Sequence, residues 1–366
     1  MKMEQELIIN LSMLVEKPTG ITNYIQNILP HFHGLEYHSL LPEKYNNNSY
    51  ENPYFIDEKL SPDNGSKGHF LRLKWTQFQL PNIYRNLKGS LLFSPVPEIP
   101  LFSKTRAVIM VHDLIPIRYP KKKSPLTPYF RYYIPQVCRQ AEHIICNSQA
   151  TADDIINYFG ISANKITPIY LGYDHQKFRV IENLRNNYKN PYFLYLGRHD
   201  PHKNISRIIS AFANFKQYNN YELWLVGPPD TRYTPLLKQQ AKELGIATQV
   251  KFLDYVSSDN LPIIINQAQT LVFPTLWEGF GFPILEAMAC GTPIITSNVS
   301  SLPEVAGEAG LFVNPLEIDS ITQAMNIMAE DKNLRKQLRE LGLKRAMNFS
   351  WKKTGKQTEK VIKKYL

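Results

Sequence analysis

Short apolar runs recur along this chain, and the stretches between them read as helices or loops. A first series comprises ELIINL, SLLFSP, RAVIMV, HIICNS and KITPIYLG; a second comprises YFLYLG, ELWLVG, QVKFLDYV, TLVFPT, PIITSN and AGLFVNP. Short runs rich in β-branched and aromatic residues, without polar alternation, fit strands buried on both faces. Between them, ISRIISAFANFKQY and TPLLKQQAKELG carry helical periodicity. Alternating strand and helix predicts parallel sheets covered by helices, an α/β class. The polar stretch DHQKFRVIENLRNNYKN, residues 174–190, is the best boundary between the two series. The 366 residues therefore divide into two Rossmann-like, doubly wound domains, 1–175 and 176–349. The segment 350–366 is expected to be a basic helix crossing back to the first domain. Residues 41–69, with NNNSY and SPDNGSKG, read as a long loop. Two such domains facing each other would bind a ligand at the carboxyl ends of their strands.

Composition removes several function classes. The three cysteines, Cys138, Cys146 and Cys290, show no C-x-x-C spacing, so reduced thiols fit better than a disulfide framework or a zinc site. No apolar run approaches the ~20 residues of a membrane span. Glu4, Glu6 and Asn10 interrupt any signal-peptide core. A soluble, cytoplasmic protein is expected, peripheral at most on the inner membrane face. No D-x-D, G-x-G-x-x-G or G-x-x-x-x-G-K-[ST] pattern occurs, which argues against a metal–diphosphate device, a dinucleotide dehydrogenase or a P-loop enzyme. The net charge of +10 is concentrated: residues 67–131 hold twelve Lys and Arg against two acids, Glu98 and Asp113. Aromatics interleave with these cations. Such a segment suits an anionic membrane surface or an acidic substrate, and nucleic acid less well, or it is a solvated face over ordinary core aromatics.

Residues 273–294, FPTLWEGFGFPILEAMACGTPI, carry the densest chemistry. A strand leads into the glycine-bearing loop EGFGF; Pro283 suits a first helical turn and Gly291 a C-terminal cap. The amides of Phe280, Gly281 and Phe282 would then open a helix N-terminus, where a phosphate binds well. Glu278 and Glu286 flank that point, and two fixed carboxylates beside a phosphate suit vicinal sugar hydroxyls. As alternatives, Glu278 compensates the helix dipole and Glu286 lies on a surface. The loop YLGRHDPHKN, residues 195–204, follows another strand and offers Arg198 and Lys203, spaced to clamp a diphosphate, with Asn204 as a helix cap. His199 and His202 read as incidental. His112 and Asp113 directly follow the strand in TRAVIMVHDLIPIRYP, Asp113 as a partner that orients His112. Gly20 opens an amphipathic helix in EKPTGITNYIQNIL.

The E-x7-E spacing within EGFGFPILEAMACGTPII resembles the retaining family-4 glycosyltransferases of GT-B fold, and the likeness is clearest over residues 105–316. What the resemblance implies is specific. Glu286 would hold a nucleotide ribose, and Glu278 would face the donor hexose and its anomeric centre. Arg198 and Lys203 would neutralise the leaving nucleotide without metal or other cofactor. His112 would touch the donor sugar. Backbone around Val256, in FLDYVSSDNLP, would meet the base. Gly20 would approach the β-phosphate or the acceptor, although relatives have two adjacent glycines where this chain has Thr19 and Gly20. The expected reaction moves a hexose from a nucleotide-sugar donor, UDP-glucose first and GDP-mannose next, to a glycan or polyprenyl-linked acceptor in polysaccharide biosynthesis. A sugar-nucleotide epimerase and a non-catalytic sugar-nucleotide or polyanion scaffold are the rival readings.

Overall fold

A computed structural model describes residues 6–16, 20–46, 50–121, 124–184, 188–254 and 256–366. The chain forms two compact units: Met1–Gly172 together with Trp351–Leu366, and Tyr173–Ser350.

In the first unit, β1 (Glu6–Asn10), β2 (Tyr37–Pro42), β3 (Pro53–Ile56), β4 (Gly89–Ser94), β5 (Ala107–Val111), β6 (His143–Cys146) and β7 (Ile166–Pro168) make one sheet. Its order is β3-β2-β1-β4-β5-β6-β7, and every pair is parallel. β5 and β6 are buried along their whole length, as their unbroken apolar sequence requires. The strand order reverses between β1 and β4, so the loops leaving those two strands splay apart at their carboxyl ends.

The second unit repeats the plan. β8 (Tyr192–Leu196), β9 (Glu222–Val226), β10 (Val250–Leu253), β11 (Thr270–Phe273), β12 (Ile294–Ser297) and β13 (Gly310–Val313) pair in parallel in the order β10-β9-β8-β11-β12-β13. Here the reversal falls between β8 and β11. The loops leaving them are the two that the sequence singles out, YLGRHDPHKN and WEGFGF.

The segment 41–69 is not one long loop. It contains the edge strand β3 and the start of the helix Gly65–Phe78. β3 opens on Pro53, a residue tolerated at a sheet edge because it cannot donate to the ladder. The C-terminal helix, Trp351–Tyr365, turns Thr354, Thr358 and Ile362 inward and packs on the helix Gly20–Ile28 of the first unit. Tyr365 anchors its far end: the hydroxyl lies 2.9 Å from His143 Nδ1, and the two rings stack.

The basic segment is less free than its composition suggests. Arg72 is buried against Glu98, Arg118 pairs with Asp154 at 2.6 Å, and Arg106 pairs with Glu142 at 3.2 Å. Trp75 is core, whereas Phe70, Phe78 and Tyr132 are exposed. Lys122 and Lys123 lie outside the described residues, as does Thr19.

Candidate active site

The second unit assembles its site at the β8/β11 reversal. Lys203, at the end of the β8 loop, places Nζ 2.7 and 2.8 Å from the two carboxylate oxygens of Glu278, in the β11 loop. Their side chains are only 17% and 9% exposed, so the pair is largely shielded from water. The sequence reading set these residues against different parts of a ligand; the fold joins them first.

The join is built by neighbours. Asn204 does not cap the following helix with its side chain. It has φ +64°, and its Nδ2 donates to the carbonyls of Pro274 at 2.8 Å and Pro315 at 2.6 Å. The Leu276 amide donates to the His202 carbonyl at 2.8 Å. The two loops are thereby sewn together along their backbones, and Lys203 is delivered to Glu278. His199 and His202 are both buried, and His199 Nδ1 lies 2.7 Å from Thr234 Oγ1. A third loop, after β12, holds Glu278 from behind. The Glu278 amide donates to Ser300 Oγ at 3.2 Å, and the single O–H of Ser301 is shared between the carbonyls of Glu278 and Phe280, 3.1 and 2.8 Å from Oγ. Ser300 and Ser301 are the site residues that sequence reasoning missed, and Asn204 it read only as a cap. Their contacts here run between residues 21 to 111 apart in the chain, and a Ser-Ser pair before a helix reads only as a cap.

The helix after Glu278 runs Phe282–Ala289, with Pro283 in its first turn and Gly281 as N-cap at φ +104°. A Cβ at Gly281 would lie 2.7 Å from Leu302 Cδ2, so both backbone angle and packing require glycine there. Phe280, Gly281 and Phe282 thus sit at the helix N-terminus, and the Phe280 ring is buried against Phe282 and Phe349. Gly291 follows the helix at φ +71°, the left-handed C-terminal position.

Arg198 contrasts with Lys203. Its side chain is 68% exposed and 3.5 Å from Asp200, a loose pair that leaves the guanidinium able to reach a ligand. Glu286, one turn into the helix, is partly buried; burial pushes its carboxyl up to about 8, with Lys177 pulling the other way. A carboxyl so raised gives up its proton less readily than an exposed one. Lys177 Nζ in turn donates to Ser258 Oγ at 2.8 Å, in the loop that carries Val256 after β10.

In the first unit, His112 follows β5 and its Nε2 lies 3.0 Å from the Pro95 carbonyl. Burial lowers its pKa to about 4, so the ring is neutral. A carbonyl only accepts, which fixes the proton on Nε2 and leaves Nδ1 as an acceptor. Tyr24 packs edge-on against the ring, 5.2 Å between centroids. Asp113 Oδ1 accepts the Ile115 amide at 3.0 Å, and the Pro95 carbonyl accepts from the histidine. Gly20 begins the helix Gly20–Ile28, and a Cβ there would meet no atom within 4 Å. Among the described residues no three His, Cys, Asp or Glu side chains converge as a metal site.

Comparison with known proteins gives a consistent result. The family described as Glycosyl transferases group 1 matches residues 176–345, and that described as Glycosyltransferase Family 4 matches residues 18–177. The O-antigen chain mannosyltransferase B of Escherichia coli is 30% identical over 270 residues, covering 69% of this chain and 69% of that protein. The O-antigen chain mannosyltransferase RfbU of Salmonella typhimurium is 32% identical over 207 residues, covering 57% of this chain and 56% of that protein. Among solved structures, HepE of Anabaena, in complex with UDP and glucose, superimposes with a TM-score of 0.76 at 19% identity, covering 98% of this chain and 100% of that one. At that identity the likeness speaks for the fold.

Proposed function

Because the chain belongs to the family-4 (group 1) glycosyltransferases, we propose that it is a retaining, metal-independent hexosyltransferase that moves mannose from GDP-mannose to a growing glycan. The donor reading departs from UDP-glucose because two relatives are named as O-antigen mannosyltransferases. UDP-glucose is kept as the second reading on the UDP and glucose bound by HepE.

The observation that carries the proposal is the Lys203–Glu278 pair at the β8/β11 reversal, with Arg198 exposed on the same loop. That is where doubly wound sheets bind ligands. In the proposed reaction the bond from the anomeric carbon to the β-phosphate oxygen breaks. An acceptor hydroxyl bonds to the same face of that carbon, and its proton passes to the departing phosphate. Arg198 and the third N–H of Lys203 stabilise the charge gathering on the phosphate. Glu278 faces the positive charge on the sugar ring, and His112 Nδ1 accepts a sugar hydroxyl. Glu286 accepts the ribose hydroxyls, and the backbone at Val256 meets the base.

We also propose peripheral attachment to an anionic membrane. The helix Gly65–Phe78 exposes Lys67, Phe70, Lys74 and Phe78, which share one face by their spacing. Cations beside exposed aromatics suit a lipid headgroup layer. Among the described residues no helix is long and apolar enough to cross a membrane.

A thermal-shift series with GDP-mannose, UDP-glucose and their free nucleotides, followed by nucleotide-release assays with EDTA present, tests the donor. Stabilisation and turnover with GDP-mannose support the reading; a response to UDP-glucose alone transfers it to the second.

A further inference from the structure

The amino ends of β4 and β5 frame a pocket of 520 Å³, at the opposite end of those strands from Pro95 and His112. Its walls come from the helix Leu80–Asn86, from Lys88 and Gly89 where β4 begins, and from residues 103–105, which lead into β5. None of these residues has a part in the donor chemistry. The volume falls within the ~300–1,000 Å³ usual for a small-molecule site.

Three observations give the pocket its character. First, its charge is one-sided. Arg85, Lys88 and Lys104 line it, and no acid does. All three are exposed, and none has a carboxylate partner among the described residues. Arg85 donates from Nη2 only to the neutral Asn82 Oδ1, at 2.9 Å. Their neighbour Arg106 differs: it pairs with Glu142 at 3.2 Å and donates to the Tyr365 carbonyl at 2.8 Å. Three like charges around one cavity repel each other, and an anion placed among them relieves that cost.

Second, the rim is held in a costly backbone conformation. Lys88 has φ +52° and Phe102 has φ +55°, left-handed angles that side chains other than Asn and Asp rarely adopt. Two glutamines from neighbouring helices brace the loop at Phe102. Gln77 donates to the Ile99 carbonyl at 3.0 Å and accepts the Leu101 amide at 2.8 Å. Gln140 donates to the Pro100 carbonyl at 2.7 Å and accepts the Phe102 amide at 3.0 Å. Ser103 Oγ also donates to Pro100, at 3.1 Å, and accepts the Thr105 amide at 3.3 Å. Strain that the surroundings over-determine in this way concentrates at ligand sites. Here it sets the backbone from which Lys104 extends.

Third, the cavity has an apolar floor. A Cβ at Gly89 would lie 2.7 Å from the Tyr84 ring, so that ring lies directly against the start of β4, with Pro81 also lining the pocket. Phe102, 94% exposed, stands one residue from the lining Ser103.

These features select the ligand. Three cations match two or more negative charges, which a single carboxylate does not supply; a phosphate monoester carries about −1.5 to −2 at pH 7. Arg85 offers a planar fork to phosphate oxygens and the lysines offer point charges. The cavity is larger than a bare phosphate needs, and Tyr84 and Pro81 give an organic body a face to lie on.

We infer that this pocket is a second ligand site, separate from the donor loops, that takes a phosphate ester. The phosphate sits among Arg85, Lys88 and Lys104, and the organic part lies on Tyr84 and Pro81. A soluble sugar phosphate and a phospholipid headgroup share this chemistry.

The test is calorimetric titration of the full chain at low salt. The probes are fructose 1,6-bisphosphate, ribose 5-phosphate and, for the lipid source, dihexanoyl phosphatidic acid below its micelle concentration. Fructose and ribose are the phosphate-free controls. At least one phosphate ester should bind, and the two free sugars should not. Lys88→Asn with Lys104→Gln removes two charges and keeps a side chain suited to the left-handed backbone at 88; it should weaken binding at least tenfold. Arg85→Gln alone should weaken it at least threefold. Two further pairs should leave it within twofold: Arg198→Met with Lys203→Met, at the donor loops, and Lys352→Gln with Lys356→Gln, which removes equal charge from the exposed side of the C-terminal helix. Binding by none of the probes, or binding indifferent to the pocket variants, overturns the inference. Equal weakening by the C-terminal helix pair overturns it as general attraction to a basic surface. Weakening by the donor-loop pair in place of the pocket pair overturns it by assigning the ester to the donor site. Binding of the sugar phosphates through Lys88 and Lys104 supports a soluble ligand; binding of phosphatidic acid alone through the same residues supports the site and gives it to a headgroup.

Discussion

Lys203 Nζ contacts both carboxylate oxygens of Glu278, at 2.7 and 2.8 Å, across the two loops that part at the β8/β11 reversal. The cation proposed for the donor phosphates is thus held in place by the acid proposed for the donor sugar. An ammonium group has three N–H donors; two point at Glu278, and one is left for phosphate. Each residue therefore sets the position and the charge of the other.

That coupling separates binding from chemistry. Glu278→Gln keeps the side-chain shape and removes the charge facing the sugar ring. Turnover should fall roughly 100- to 1000-fold, by analogy with loss of one oriented charge-stabilising group. GDP affinity should be unchanged or tighter, because a competitor for Lys203 is gone. Steady-state kinetics and GDP titration of the same preparation check this; equal losses in both would mean that Glu278 serves only to hold Lys203.

Asn204 carries the geometry. Its Nδ2 satisfies two carbonyls, Pro274 and Pro315, and its backbone is left-handed. Asn204→Ala leaves acceptors without their donor and puts a Cβ-bearing, non-Asn residue at positive φ. Loss of ~2–5 kcal/mol in unfolding free energy is expected from the two effects. Asn204→Gly relieves the backbone part alone and should recover only that share of the stability and none of the turnover, as denaturant unfolding and kinetics would report.

If Glu286 takes the proposed ribose, nucleotide binding should depend on pH. Burial raises its carboxyl from the ordinary 4.5 to about 8. Accepting two ribose hydroxyls requires the ionised form, so binding expels a proton. GDP affinity should rise as pH climbs from 6 toward 8 and level off beyond; in Glu286→Gln it should be flat. The sign for stability is opposite. With the folded pKa above the unfolded value, the folded chain holds the proton longer, so this contribution is full below 4.5 and is lost as pH rises through about 8. Calorimetric titration in buffers of different ionisation heat measures the proton directly.

The exposed face of the helix Gly65–Phe78 predicts salt-sensitive adsorption. Reversing Lys67 and Lys74 to Glu should abolish co-sedimentation with phosphatidylglycerol vesicles, and Phe70→Ser with Phe78→Ser should weaken it even at low salt. Binding indifferent to salt and to both double variants would remove the membrane from the proposal.

What the sequence made legible follows from locality. β5, β8 and β11 are buried on both faces, and β1 is so over Leu7–Ile9, so each carries an apolar run that needs no partner to be recognised. β2 and β3 escaped because His38 and Ser39 interrupt the first and Pro53 opens the second at a sheet edge. Arg198, Lys203, Glu278 and Glu286 stood out because charges in strand-end loops are conspicuous. Their pairing did not, since it depends on strand order and on Asn204, Ser300 and Ser301 acting across distant loops. The raised carboxyl of Glu286 and the neutral state of His112 were equally hidden, because burial is a property of the fold. Arg72 and Glu98 looked like surface charge for the same reason.

The most direct measurement is the affinity of GDP against GMP, in EDTA, for the wild type and for Arg198→Met and Lys203→Met. If protein cations alone hold the pyrophosphate, the wild type should prefer GDP at least tenfold, EDTA should leave that preference intact, and both variants should lose most of it. A preference that needs added metal, or that survives both substitutions, would contradict the placement of the donor at the β8/β11 loops.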